Sequence, residues 1–324
     1  FTILWLFNTA SALAGALQVY FPGRFQPAVS TVLDDRMLEG LVITLANGTN
    51  ILRPMGLTDT PAGACIGALF SVLLGVGFLL GRPKLRLKLL VLAAMAISLF
   101  TLYLTQVRSV LMMLIISLLA MSFALVIQRR SAAATAVLGT ISGLAVLGFT
   151  LALSIGGTAV GDRFSTLIAE DPRTVYYDNR GHFVEDTFVD LLPQYPFGAG
   201  LGRWGMIHTY FGSRGSRIDA LWAELQWTAW LYDGGFLLML IYGSAVVWAI
   251  WLTYRVATRA DSLGGELQTW ATVLFGYGIG VFAITFNACP FESNGGLEFW
   301  LLSASVYVAS QQSMARAVAK ADNL

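Results

Sequence analysis

Charge is what this chain has least of. Asp, Glu, Lys and Arg make up 12% of its 324 residues, half of the roughly 25% found in an ordinary soluble domain. With 56% hydrophobic residues and a mean hydropathy of +0.68, that shortage excludes a water-soluble globule and points to an integral membrane protein. Cysteine is nearly missing: Cys65 and Cys289 are too few and too far apart for a disulfide framework or a thiolate metal site. There is no HExxH, no CxxC, no P-loop and no dinucleotide fingerprint. A net charge of +1 offers no bulk attraction for nucleic acid. Lysine is the last scarcity, with three residues against seventeen arginines.

What fills the chain instead is apolar sequence. A run of about twenty apolar residues crosses a hydrocarbon core as a helix, which satisfies its own backbone there. Eight such runs lie near residues 1–19, 62–81, 86–104, 109–127, 133–155, 234–253, 269–287 and 297–311. The expected fold class is therefore all-α: a polytopic membrane protein of at least eight transmembrane helices with one large extracytoplasmic loop. Three regions follow: spans one to five in 1–155, the loop in 156–233, and spans six to eight with a tail in 234–324. The chain opens at Phe1 inside an apolar run, so further residues are expected upstream.

Short loops rich in Lys and Arg stay on the cytoplasmic side. Arg82, Lys84, Arg86 and Lys88 join spans two and three, Arg129 and Arg130 join four and five, Arg255 and Arg259 join six and seven, and Arg316 and Lys320 follow span eight. Connections 20–61, 105–108, 156–233 and 288–296 then face outward. They hold ten arginines and no lysine. A guanidinium is a planar fork of donors that matches phosphate or carboxylate, whereas an ammonium is a point charge. Arginine without lysine on one face therefore suggests oxyanion binding, although each arginine alone could pair with loop acids such as Asp162, Asp171, Asp178 or Glu185. Arg108 is the strongest single case. It sits in a four-residue turn between two spans, where a charge is costly and needs a partner or a substrate.

Read in order, the outward face carries Arg53-Pro54-Met55-Gly56, then Gln106-Val107-Arg108-Ser109, then Asp162-Arg163-Phe164-Ser165-Thr166-Leu167. Asn179-Arg180-Gly181 follows, then Pro196-Phe197-Gly198-Ala199-Gly200-Leu201-Gly202-Arg203, and finally Glu224, nine residues before Asp233-Gly234-Gly235. Alternating glycines allow positive φ and close backbone approach. The triplet Asn47-Gly48-Thr49 fits an N-glycosylation pattern that is frequent by chance.

This order resembles the O-antigen ligase and O-antigen polymerase superfamily of bacterial envelope glycosyltransferases, over residues 50 to 310. Members carry R-x-x-G before one span, an S-R-[GS]-like turn before another and R-[FW]-x-x-L at the start of the large periplasmic loop. A further arginine precedes P-x-G-x-G-x-G. The resemblance implies a multi-pass protein of the bacterial inner membrane whose active site faces the periplasm. It implies inversion at a sugar carbon with undecaprenyl diphosphate as leaving group, with no cofactor and no metal. The partners implied are an undecaprenyl-diphosphate-linked oligosaccharide, a glycan acceptor, membrane lipid and other polysaccharide-assembly proteins.

Carried over singly, Arg108 matches the arginine of the short turn and Arg180 the arginine ahead of the glycine-rich segment, both as diphosphate ligands. Arg53 and Arg163 match motif arginines with less defined roles, and Arg203 joins them as a substrate-binding candidate. The chain departs from the family where its ligases carry a histidine in H-N-x-x-L. That position, eleven residues before Gly235, is Glu224. A carboxylate can serve as general base, so Glu224 is the candidate proton acceptor, with Asp219 second and His208 and His182 as secondary imidazoles. The missing histidine leans the reading from ligase toward polymerase. A transporter of the same lipid-linked glycans is the rival from another class. Against it, the spans do not fall into two similar halves.

Overall fold

The structure is a computed structural model that describes residues 1–22, 24–26, 41–58, 60–169, 171–204, 221, 223–259 and 265–321. Every apolar run becomes a helix: α1 (Thr2–Tyr20), α2 (Pro61–Leu80), α3 (Leu85–Thr105), α4 (Arg108–Ile127), α5 (Ser131–Ala169), α9 (Gln226–Thr258), α10 (Gly265–Ile284) and α11 (Asn294–Ala321). Between α5 and α9 stand the short helices α6 (Pro172–Tyr176), α7 (His182–Asp186) and α8 (Leu192–Gln194). The only sheet among the described residues is a hairpin of β1 (Val42–Thr44) and β2 (Asn50–Leu52), antiparallel with Ile43 opposite Ile51.

Seven of the long helices are long and apolar enough to cross a membrane. The eighth expected segment, 297–311, lies within α11, a 28-residue helix. Glu298 and a run of Ser and Gln dilute its apolar character. Along α4 and α9 the side chains turned away from the bundle are large and apolar, among them Leu119, Phe123, Leu240 and Val247. Contiguous exposed hydrophobics of that extent suit contact with lipid.

The core sits where α2 packs on α3 and α10 packs on α4. Lipid offers no hydrophobic force between helices, so close backbone approach must supply the attraction. Gly276 and Gly280, four residues apart on α10, provide it: a β-carbon at either would meet Ser117 of α4 and a methionine, Met121 at Gly276 and Met113 at Gly280. This seam fixes the end of α10 beside the start of α4. A second anchor is Gln18 of α1, which is 1% exposed. Its Oε1 accepts from the backbone N–H of Met55 at 2.8 Å and of Gly56 at 2.9 Å, and its Nε2 donates to the Gly56 carbonyl at 2.7 Å. One amide thereby ties the connection that carries Arg53 to the bundle.

The large connection does not leave as a loose loop. Helix α5 continues past its apolar part, breaks at Gly157 (φ 58°) and runs on to Ala169. From Pro172 to Gln194 the chain stays helical, α6, α7 and α8 being joined by two π-helical turns, Tyr177–Gly181 and Thr187–Leu191. This rod lies against the bundle. Thr187 and Thr228 share a hydrogen bond of 2.6 Å, and the Tyr176 hydroxyl donates to the Phe286 carbonyl at 3.1 Å.

Candidate functional site

Three of the arginines singled out from sequence meet. Arg53, Arg108 and Arg180 line one cavity of about 530 Å³, together with Gln106, Ser109 and Asn287. Its described lining residues include no carboxylate. Asn179 and Tyr176 also line it, and much of the rest is apolar, including Met112, Met113 and Ile116 of α4 and Ile284 of α10. The three arginines arrive from three separate connections. Arg53 hangs from the Gln18 anchor and its backbone N–H donates to the Leu41 carbonyl at 2.8 Å. Arg108 is the first residue of α4. Arg180 lies in the Tyr177–Gly181 π turn, the kind of local widening that recurs at functional sites.

Arg180 is the most thoroughly held of the three. Its Nε donates to the Asn287 carbonyl at 3.1 Å and its Nη1 to the Asn179 carbonyl at 2.8 Å. Its Nη2 stands 3.1 Å from Oε2 of Glu224, both side chains being about three-tenths exposed. Glu224 is not among the described lining residues of the cavity. The expected general base and the expected diphosphate ligand are thus a contacting pair. A surface pair of this exposure adds little stability, and its value is in orienting the guanidinium.

Behind the pair lies a second carboxylate that sequence reading missed. Glu292, in the 3-10 turn Pro290–Glu292, accepts from Gln226 Nε2 at 3.2 Å. Burial pushes its carboxyl above the ordinary carboxylate range, the Asp233 carboxylate adds to the rise, and the Gln226 hydrogen bond opposes it. Burial likewise raises the Cys289 thiol, with Glu292 and Glu224 adding and Arg180 opposing. Cys289 is therefore held as an uncharged thiol. Gln226 also joins the two long helices: its backbone N–H reaches the Thr285 and Ala288 carbonyls, each at 3.2 Å, and its Oε1 accepts from the Phe291 N–H at 2.9 Å.

The glycine-rich segment has a different task from the ligand contact its pattern suggests. Gly198, Gly200 and Gly202 all have positive φ. The Ala199 N–H reaches the Tyr232 carbonyl at 2.6 Å, and the Gly202 N–H reaches Asp233 Oδ1 at 2.9 Å. A β-carbon on Gly198 would meet the Gly234 backbone at 2.8 Å, and one on Gly235 would strike Pro196 and Phe197. Backbone lies on backbone at the break in α9, where Gly235 has φ 67°. The segment fastens the large connection to the bundle.

Other expected residues fall elsewhere. Arg203 does not line the cavity; its Nη1 donates to the Ala199 carbonyl at 3.4 Å, and its buried Nε meets no acceptor among the described residues. His182 turns back on its own rod, with Nδ1 3.0 Å from the Tyr177 carbonyl and its ring against Phe183. His208 and Asp219 lie outside the described residues, as does the side chain of Arg163. Gln106 and Asn287 were not singled out from sequence. A polar amide inside a four-residue turn between two apolar spans is the signal that could have found the first.

A further cleft of about 250 Å³ between α9 and α11 is lined by Trp248, Leu252, Tyr307 and neighbours, with no charged group among its described lining residues. It offers nothing for an oxyanion. Comparison with protein-family models, with curated proteins and with solved structures gives no match to this chain.

Proposed function

We propose that this protein is an inverting glycosyltransferase of the bacterial inner membrane that polymerises polyprenyl-diphosphate-linked oligosaccharide repeats. The observation that carries the reading is the convergence of Arg53, Arg108 and Arg180 on a cavity that also presents the apolar side chains of Met112, Met113, Ile116 and Ile284. Charged forks beside an apolar wall suit a molecule with an anionic head and a hydrocarbon tail. A lipid diphosphate is such a molecule. The order of motifs along the chain, which resembles O-antigen polymerases and ligases, supports the same reading independently of the cavity.

In the reaction, an acceptor hydroxyl forms a new C–O bond to the anomeric carbon while the bond from that carbon to the diphosphate oxygen breaks. The electron pair leaves with the diphosphate. Preorganised donors at the position of developing charge are the largest source of catalysis in such a step, and Arg108 and Arg180 fill that role. Glu224 takes the proton of the acceptor hydroxyl as the new bond forms. Its contact with Arg180, 3.1 Å from Nη2 to Oε2, supports this role by setting the base beside the leaving-group ligand.

The deciding experiment is reconstitution of the protein in liposomes with a polyprenyl-diphosphate oligosaccharide as the only glycan, followed by gel analysis of product length. A ladder of longer lipid-linked chains, lost on Arg180→Ala and on Glu224→Ala, is the expected result. Transfer seen only after a lipid A core is added would make the protein a ligase. Movement of intact substrate across the bilayer without a new bond would make it a transporter and overturn the reading.

A further inference from the structure

The cavity meets the start of a long helix. Helix α4 runs for 20 residues from Arg108, and its N-cap, Val107, has no side chain able to cap it. The first N–H groups of a helix have no partner within the helix and carry about half a unit of positive charge between them. Arg108, the first residue of the helix, stands at that same end.

Gln106 is the independent observation. It lines the cavity and is 5% exposed, yet among the described residues its Nε2 finds no acceptor. A buried amide donor without a partner costs about 1–3 kcal/mol. Its backbone is left-handed at φ 56°, ψ 25°, a conformation that glycine adopts freely and glutamine does not. The fold thus keeps a long amide side chain where the backbone would favour none, and leaves its donor buried and unpartnered in the wall of the cavity.

We propose that Gln106 Nε2 and the amide end of α4 together form a seat for one phosphate of a diphosphate, with Arg108 flanking it and Arg180 reaching the other phosphate. This rests on the reading of the cavity as a lipid-diphosphate site and adds to it a donor of no net charge. The neutral donor matters for turnover. A seat of arginines alone would hold product diphosphate and substrate diphosphate alike through charge, whereas an amide and helix N–H groups fix the orientation of a phosphate by direction.

The test uses the full chain in detergent micelles and measures the Kd of inorganic pyrophosphate, of farnesyl diphosphate and of uncharged farnesol. The pyrophosphate and farnesyl diphosphate arms separate a free anion from a lipid headgroup, farnesol being the tail alone. Gln106→Gly relaxes the left-handed turn and removes the donor. It is expected to weaken both diphosphates about tenfold, the scale of one hydrogen bond to a charged group, and to leave farnesol unchanged. Gln106→Asn tolerates the same backbone but is too short to reach, and is expected to behave alike with an unchanged melting temperature. Unaltered diphosphate affinity in both variants overturns the seat while leaving the polymerase reading intact if Arg180→Ala still loses binding. Weakened binding in both variants, with no elongation in liposomes, keeps the seat and removes the polymerase. No diphosphate binding by the unaltered protein removes both.

Discussion

The two ends of α4 are built from the same residue types and put to opposite uses. At the end near Ile127, Gln128 donates through Nε2 to the Ala257 carbonyl at 3.0 Å and to the Thr272 hydroxyl at 2.7 Å, joining three helices. Its Oε1 accepts from Arg130 at 3.5 Å. A non-glycine residue with positive φ, Arg129 at 59°, turns the chain there. At the other end Gln106 has the positive φ, Arg108 follows, and the amide donor, in the wall of a cavity, meets no carbonyl among the described residues. One glutamine is spent on the fold and the other is left open. Polar groups within a membrane protein are costly wherever they lie, so an open one signals work outside the fold.

The comparison breaks first on charge. Arg108→Ala and Arg180→Ala are expected to lower the rate of chain elongation in liposomes by about 10²–10³, the usual cost of losing a donor to developing negative charge. Arg130→Ala, at the other end, should leave the rate unchanged. Equal losses in all three would mean that arginines at both ends serve the fold. Next in size is the seam that sets the two helices side by side. Gly280→Leu drives a side chain into Ser117 and Met113. It should cost about 1–3 kcal/mol, seen as a lower melting temperature in detergent, with diphosphate affinity falling because the cavity wall moves.

Gln128 supplies the matched control for Gln106. Gln128→Leu strips two acceptors of their donor and should destabilise by about 1–3 kcal/mol, with pyrophosphate affinity unchanged. A change in affinity without a change in melting would reverse the roles assigned to the two ends. The smallest effect concerns Glu292, whose carboxyl is raised above its ordinary 4.5 by burial. The folded state then holds that proton more tightly than the unfolded one, so this group favours folding as pH falls and opposes it as pH rises through the raised value. Glu292→Gln should therefore melt above the unaltered protein at pH 8, with the gap closing as pH is lowered through the folded pKa.

The helices were legible because lipid imposes a length and a composition on anything that crosses it. Each of the eight apolar runs is a helix, with ends within a few residues of those expected except where helices overrun the apolar stretch. Helix α9 starts at Gln226 because a first helical stretch precedes the expected span; the ladder breaks at Gly234 and Gly235, where the Phe236 N–H turns to the Pro196 carbonyl, and a second stretch runs on to Thr258. Helix α5 likewise breaks at Gly157, close to the expected end of its span, and a second stretch runs on to Ala169. The convergence of Arg53, Arg108 and Arg180 was foreseeable from their residue type and from their shared face. Glu292, Asn287 and Gln106 were not, since a lone polar residue near a span looks the same in sequence whether it caps, braces or binds. The glycine-rich segment misleads for a related reason: close approach to a ligand and close approach to another backbone demand the same absence of a side chain.

Gln18 holds the Arg53 connection through three hydrogen bonds from a helix that contributes nothing to the cavity wall. In chain order that amide precedes every described lining residue of the cavity, whereas Asn287 comes last among them. A growing chain can therefore fasten the Arg53 connection before the rest of the cavity exists, and the cavity is complete only when α10 packs against α4.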